Sequence, residues 1–440
     1  MSPSERRRRI GTTGIAMACA AFLVAGCSST STTTESGTSE TTTATTSSAP
    51  LSPALKPIDQ AALQTVVEKA TKEMLVPGAI VAIRTPQGNY TASVGTTELG
   101  KQTLPEMNTH FRIASNSKTM TAALVVLLAQ DGKLKFSDPV SDYIPVVPNG
   151  DNITVAELLK MRSGLYNYTN APEFSAELDA DLAKAWTPQE VLDIAFAHPP
   201  NDPPDTAYEY NNTNYALLGL IAEKAGGRTL TEQMQERLFG PFSLKQTSLP
   251  VADEASSMPT PYSHGYMYGG SAFAMIDDPY PSDMKAAAKA GTLKPVDYTN
   301  QNSSYAHAAG GVISDAENVE TWIRTLVSGK VFNADFHKQW LESLQAEDPE
   351  NPDGQKYGYG ISYQRFSPTA AMYYHGGELP GFNSFMGYDP DNDVSLVVWT
   401  NLTISPLDDK TTAQALLAPM LDEIYTGLSL APRPTPTTTR

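Results

Sequence analysis

The 440-residue chain has only two cysteines, Cys19 and Cys27, both within its first 27 positions. No disulfide can therefore staple the remainder, and stability must come from a large buried core, which the length permits. Beyond the N-terminus no apolar run reaches the roughly 18 residues that a membrane-crossing helix needs. Positive charge is also scarce: 31 Lys and Arg stand against 48 Asp and Glu, a net charge of −17. That balance argues against nucleic acid as a partner, since phosphate recognition needs clustered cations. Acidity of this kind is an ordinary solubility feature and points to no substrate. The six histidines show no HExxH or comparable spacing, so neither a metal nor another cofactor is expected. A G-x-S-x-G elbow is missing too, which counts against an ordinary α/β-hydrolase.

What is present begins with an address. Arg6 to Arg9 precede the apolar stretch "IGTTGIAMACAAFLVAG", the pattern of a signal peptide over residues 1–26. Val24, Ala25, Gly26 and Cys27 then read as a lipobox, with Cys27 lipidated and N-terminal after cleavage; an ordinary signal peptide that leaves Cys27 free is the alternative. The arginines match a twin-arginine export signal only loosely. Two or three lipid chains would hold the protein firmly at an extracytoplasmic membrane face, its membrane contact being the anchor alone. Residues 27–56 are a tether: positions 28 to 50 hold 17 Ser or Thr in 23, too polar to form a core. As a flexible coil they span about 25 to 30 Å. Residues 431–440, "APRPTPTTTR" with its first residue already at the boundary, form a disordered tail by the same reasoning.

The body, 57–430, exceeds the usual size of one core and implies two lobes built together. An amphipathic helix is expected from about Asp59 to Glu73. Two strand-like runs follow, "GAIVAIRT" and "NYTASVGT", around a Pro86-Gln87-Gly88 turn. The apolar "TAALVVLLA" reads as a buried helix ended by Asp131 and Gly132. From about 138 to 305 the chain is rich in Pro, Asn and Asp with helical patches, so a helical, loop-rich lobe is expected. Strand patterns return in "YGYGISYQRF", "AAMYYHGG", "FNSFMGYD" and "VSLVVWTN", before a last helix at about Thr411 to Tyr425. One sheet built from both ends of the chain follows, with the helical lobe inserted.

Three weak motifs carry chemistry. "RIASNSKTM" sets Ser115 and Lys118 three residues apart, on one helix face. A helix N-cap with a lysine reaching to water is the plain reading. The chemical reading is that apolar walls and a helix N-terminus lower the lysine pKa, so that a neutral amine takes the serine proton. The same spacing at Ser282 and Lys285 is in polar, exposed sequence. Y-x-N occurs at Tyr168, Tyr210 and Tyr298; Tyr210 and Asn212 stand before an amphipathic helix that would hold them rigidly. In "YYHGGELPGF", His375 is read as ending a strand, with two glycines that let substrate backbone lie close.

These motifs, in this order, resemble the serine β-lactamase and penicillin-binding D,D-peptidase superfamily, particularly class C β-lactamases, D-alanyl-D-alanine carboxypeptidases and related esterases. The resemblance runs from about 57 to 427 and includes "QDGKLKFSDPVSDYIP", "ITVAELLKMRSGLYNYTN" and "AAGGVISDAENV". It implies an α/β (α+β) fold, an antiparallel sheet flanked by helices beside a mainly helical lobe, with the site in the cleft between them. It further implies Ser115 as acylated nucleophile, Lys118 and Tyr210 in proton transfer, Asn212 binding the substrate amide, and His375 in place of the family's K-T-G lysine. Backbone N–H groups of Ser115 and Glu378 would form the oxyanion hole, with Gly377 beside them. Which of Lys118 and Tyr210 is the working base stays open.

One departure bears on the substrate. Glu378 follows the third motif, and an acidic side chain there repels a carboxylate; Arg365 is a candidate anion clamp or a surface arginine. The expectation is an acyl-enzyme serine hydrolase, D-alanyl-D-alanine carboxypeptidase-like, acting on a small molecule or peptide such as a peptidoglycan peptide or β-lactam. An esterase or other peptidase without D-alanine preference is the first alternative, an inactive cell-wall-binding lipoprotein the second.

Overall fold

The computed structural model describes residues 54–276 and 278–428. The signal peptide, Cys27, nearly all of the tether and the 431–440 tail lie outside these described residues. Among the described residues no helix is long and apolar enough to cross a membrane.

An eight-stranded antiparallel sheet organises the chain. Its strands are β1 (Gly78–Thr85), β2 (Gly88–Gly95), β3 (Gln345–Ala346), β4 (Lys356–Tyr357), β5 (Ser362–Ser367), β6 (Ala370–Leu379), β7 (Phe382–Asp389) and β8 (Val394–Thr400), in the order β2-β1-β8-β7-β6-β5-β4-β3. The expected union of early and late strands is present, with Ile80 opposite Trp399 and Ala82 opposite Val397. Alternation then divides the sheet between two cores. Ile80, Ala82, Val397 and Trp399 face the helical lobe. Ala79, Val81, Ile83, Leu396 and Val398 face the other side, against Leu63 and Val67 of α1 (Gln60–Glu73) and against the C-terminal helices. A strand buried on both faces reads as an unbroken apolar run, as "GAIVAI" does.

Between the lobes runs α2 (Ser117–Gln130), buried continuously from Ser117 to Leu128. A helix apolar on every side belongs inside a core, and Gly132 beyond its end adopts φ +70°. The helical lobe packs around it, with α3 (Asn212–Gly226) in direct contact. Helices continue through α4 (Ala316–Val327), which packs against β7 and β8, as far as Glu342. The last helix is also two pieces, α5 (Thr412–Ala415) and α6 (Leu417–Ile424). Asn383 Oδ1 of β7 accepts the backbone N–H groups of Ala413 at 2.8 Å and Gln414 at 3.2 Å, docking the start of this segment on the sheet.

Candidate active site

Ser115 does not begin a regular helix. It lies in a 3-10 turn, Ala114–Asn116, and α2 starts at Ser117. Ala114 holds φ +53°, a left-handed conformation that costs a non-glycine residue energy and persists only where surroundings enforce it. They do so here. Ile113 N–H donates to Val312 O at 3.1 Å, Ser117 Oγ donates to Ala114 O at 2.7 Å, and Asn116 Nδ2 donates to Ser384 Oγ of β7 at 2.8 Å.

Gly377 explains how closely β6 approaches this turn. A β-carbon there would stand 2.2 Å from Ile113 O and 2.5 Å from Ser384 Oγ. The glycine therefore permits close contact between two parts of the protein. Strand β6 also continues beyond His375 to Leu379. Its partner β5 leaves it after Tyr374, while the pairing with β7 reaches Leu379–Phe382. With that two-residue hairpin, ladder alternation turns the N–H of Glu378 away from β7, toward the open edge at the cleft.

Lys118 carries the electrostatics. Its side chain is fully buried, which overturns the reading of a lysine reaching to water. Burial holds its pKa well below the ordinary 10.5. Nζ lies 2.9 Å from Ser115 Oγ, 2.7 Å from Asn212 Oδ1 and 2.7 Å from Ala309 O. The last two are carbonyl oxygens and can only accept. A neutral amine has two N–H groups to give them, and its lone pair then faces the Ser115 hydroxyl. Asn212 Nδ2 also donates one of its two N–H groups to Thr169 Oγ1 at 3.1 Å, and the residue lines the cleft. The residue orients Lys118 through Oδ1. Asn211, not Asn212, caps α3, accepting Thr213 N–H at 2.8 Å.

Tyr210 places its ring 4.9 Å from Lys118 Nζ. Burial raises its pKa far above 10; a hydrogen bond with Ser115 works in the opposite direction, and the charge of Glu378 adds to the rise. Tyr210 is thus a phenol at rest. His375 is buried, and its pKa is pushed down to about 3, by burial first and then by the Lys118 charge. Its Nδ1 meets Gly376 O at 2.6 Å, so Nδ1 carries the proton, and Nε2 accepts from the Tyr357 hydroxyl at 3.1 Å. The imidazole is neutral and brings no positive charge to the site.

The cleft has two chambers that share Ser115, Tyr210, Glu378 and Gln414. One, about 180 Å³, is lined by polar residues of the helical lobe including Asn167, Thr169, Asn170 and Asn212. The other, about 130 Å³, lies against Tyr357, Phe366, Tyr374, Phe385, Leu417 and Leu421. No lysine or arginine lines either chamber among the described residues. Arg365 is not an anion clamp, for its guanidinium donates to Pro368 O and Tyr363 Oη on an exposed surface. The second S-x-x-K copy is also outside, with Lys285 paired to Asp409. Of the other Y-x-N copies, Tyr168 donates to Tyr305 O and Tyr298 contacts Asp179. Sequence reasoning missed Ala309, Thr169 and Gln414; none has a local signal, because each enters from a segment remote from Ser115.

Known proteins share this architecture. A family model described as Beta-lactamase matches residues 63–419. Protein flp of Staphylococcus aureus (strain MW2) is 24% identical over 349 residues, covering 78% of this chain and 63% of flp, so the chain spans less than two thirds of that relative's length. A D-stereospecific amidohydrolase from Streptomyces sp. is similar in structure, with TM-score 0.67 at 28% identity over 80% of this chain and 96% of that one. A penicillin binding protein from Bacillus halodurans gives TM-score 0.63 at 21% identity over 80% of this chain and 99% of that one.

Proposed function

The chain belongs to the Beta-lactamase family, and from that premise we propose that it forms and hydrolyses an acyl-enzyme at Ser115. The observation that carries the proposal is the Lys118 amine, 2.9 Å from Ser115 Oγ and with two carbonyl acceptors for its N–H groups. In acylation, Ser115 Oγ gives its proton to Lys118 Nζ and bonds to the substrate carbonyl carbon. The N–H groups of Ser115 and Glu378 hold the oxyanion. Tyr210 then passes its phenolic proton to the leaving nitrogen or oxygen as that bond breaks, and recovers a proton from Lys118. Water repeats the sequence to release the acid and free Ser115. Lys118 is the resting base and Tyr210 the relay, because burial favours the neutral form of each.

The finer reading is a D-alanyl-D-alanine carboxypeptidase-like enzyme, exported and lipid-anchored at Cys27. Its support is the family and the likeness to a D-stereospecific amidohydrolase. A second reading, hydrolysis of amides or esters without a free carboxylate, is favoured by the absence of Lys and Arg from the chamber walls. Purified full-length protein with a D-Ala-D-Ala peptide and with a penicillin separates them. Ser115-dependent release of D-alanine or opening of the drug supports the carboxypeptidase reading. Turnover confined to substrates without a carboxylate supports the second. The anchor is tested by lipid labelling in cells, which Cys27→Ala abolishes if the lipobox functions.

A further inference from the structure

The smaller chamber does not stop at the face of the sheet that bears Ser115. Along β6, Tyr373 packs toward the helical lobe, whereas Met372 and Tyr374 pack toward the C-terminal helices. Alternation then returns His375 to the lobe side and Gly376 to the helix side. The chamber touches both sides: Tyr210, Tyr357 and His375 line one end, and Phe366, Phe385, Leu417 and Leu421 line the other. The last four belong to the core between the sheet and the C-terminal helices. The crossing lies where β5 leaves β6, after the pairing of Tyr374 with Ser362, and both of those residues line it. Gly376 keeps the passage clear, since a β-carbon there would stand 2.9 Å from Gln414 Nε2. The chamber measures about 130 Å³, a little less than the roughly 150 Å³ of an apolar cavity that admits benzene, so about five carbons fit.

We propose that this crossing is an acyl-chain subsite: an unbranched chain of about five carbons beyond the carbonyl passes the end of β5 and rests against Leu417 and Leu421 of α6, on the far side of the sheet from Ser115. The proposal rests on the acyl-enzyme reading and narrows its substrates to esters and thioesters of medium-length unbranched acids. The acyl group, not the leaving group, belongs here. Deacylation needs water at the carbonyl carbon, and walls of Phe and Leu hold water poorly. Water therefore enters by the polar chamber that the leaving group vacates, while the acyl chain keeps the apolar one. Gly376 and Gln414 admit a chain and exclude a branch; Leu417 and Leu421 set how long the chain can be.

The test follows p-nitrophenolate release by the full-length protein from p-nitrophenyl esters with acyl groups from acetyl to decanoyl. Each added methylene should raise kcat/KM by about three- to fourfold as far as about hexanoyl, with a fall by decanoyl. The 3,3-dimethylbutanoyl ester, an isomer of the hexanoyl ester, should be much poorer than it. Lengthening the alcohol of an acetate ester instead should give no such rise. Leu421→Trp should move the optimum to a shorter acyl chain and Leu421→Ala to a longer one. A wild-type profile that is flat, or that climbs through decanoyl without a fall, overturns the proposal whatever the folding of the variants. So does equal turnover of the two isomers, an optimum unmoved in folded Leu421 variants, or a protein that a fluorophosphonate labels at Ser115 but that releases p-nitrophenolate from none of the esters. Failure of the acyl-enzyme reading is separate, seen as fluorophosphonate labelling that does not depend on Ser115.

Discussion

Replacing Lys118 by methionine separates a neutral buried amine from an ordinary ammonium. In the folded protein burial lowers the Lys118 pKa well below 10.5, whereas the unfolded chain restores it. Between those two values the unfolded state binds the extra proton, so wild-type stability rises with pH. The full benefit is reached above 10.5 and is lost as pH falls toward the folded value. Within that window the wild type should gain about 1.4 kcal/mol per pH unit relative to Lys118→Met, which has no group to titrate. The substitution also leaves Asn212 Oδ1 and Ala309 O without their donor, at about 1 to 3 kcal/mol each. That cost is independent of pH and does not alter the slope. Urea unfolding of both proteins between pH 7.5 and 10 gives the difference directly. A stability gap that stays constant over this range would refute the neutral amine, and with it the assignment of Lys118 as resting base. Catalysis should follow the same titration, with turnover falling as acid protonates Lys118, and Lys118→Met should lose about 10²- to 10⁴-fold, the contribution of a positioned base.

Gly377→Ala should cost about 1 to 3 kcal/mol through overpacking against Ile113 O and Ser384 Oγ; because the displaced turn carries Ser115, kcat should fall more than thermal stability predicts, and an unchanged kcat would contradict the packing argument. His375, with a folded pKa near 3 against an ordinary 6.5, stabilises the fold fully above pH 6.5 and progressively less as pH falls toward 3. His375→Gln should therefore flatten part of the acid limb of a stability–pH curve, by up to about 1.4 kcal/mol per pH unit; an identical limb in both proteins would contradict the neutral imidazole.

Several strands were legible as apolar or aromatic runs bounded by turn residues: "FNSFMGYD" forms β7 over its whole length, and the two-sided burial of β1 is written in its continuous apolar run. Ser115, Lys118 and Tyr210 were legible because a hydroxyl, an amine and a phenol flank strongly patterned helices. What a reading of the sequence could not supply came from long-range contacts. The role of Gly377 depends on Ile113 O, more than 260 positions away, and the engagement of Asn212 depends on Lys118 and Thr169. A sequence window cannot reveal that these atoms meet. The tautomer of His375 likewise depends on Tyr357 and Gly376 O, of which only the second is near it in sequence.

The most direct measurement is the intact mass of full-length protein after reaction with a fluorophosphonate, compared with Ser115→Ala. The account predicts one stoichiometric adduct on the wild type, located to Ser115 by peptide mapping, and none on the variant. Equal labelling of the two proteins, or an adduct mapped to another residue, would contradict it.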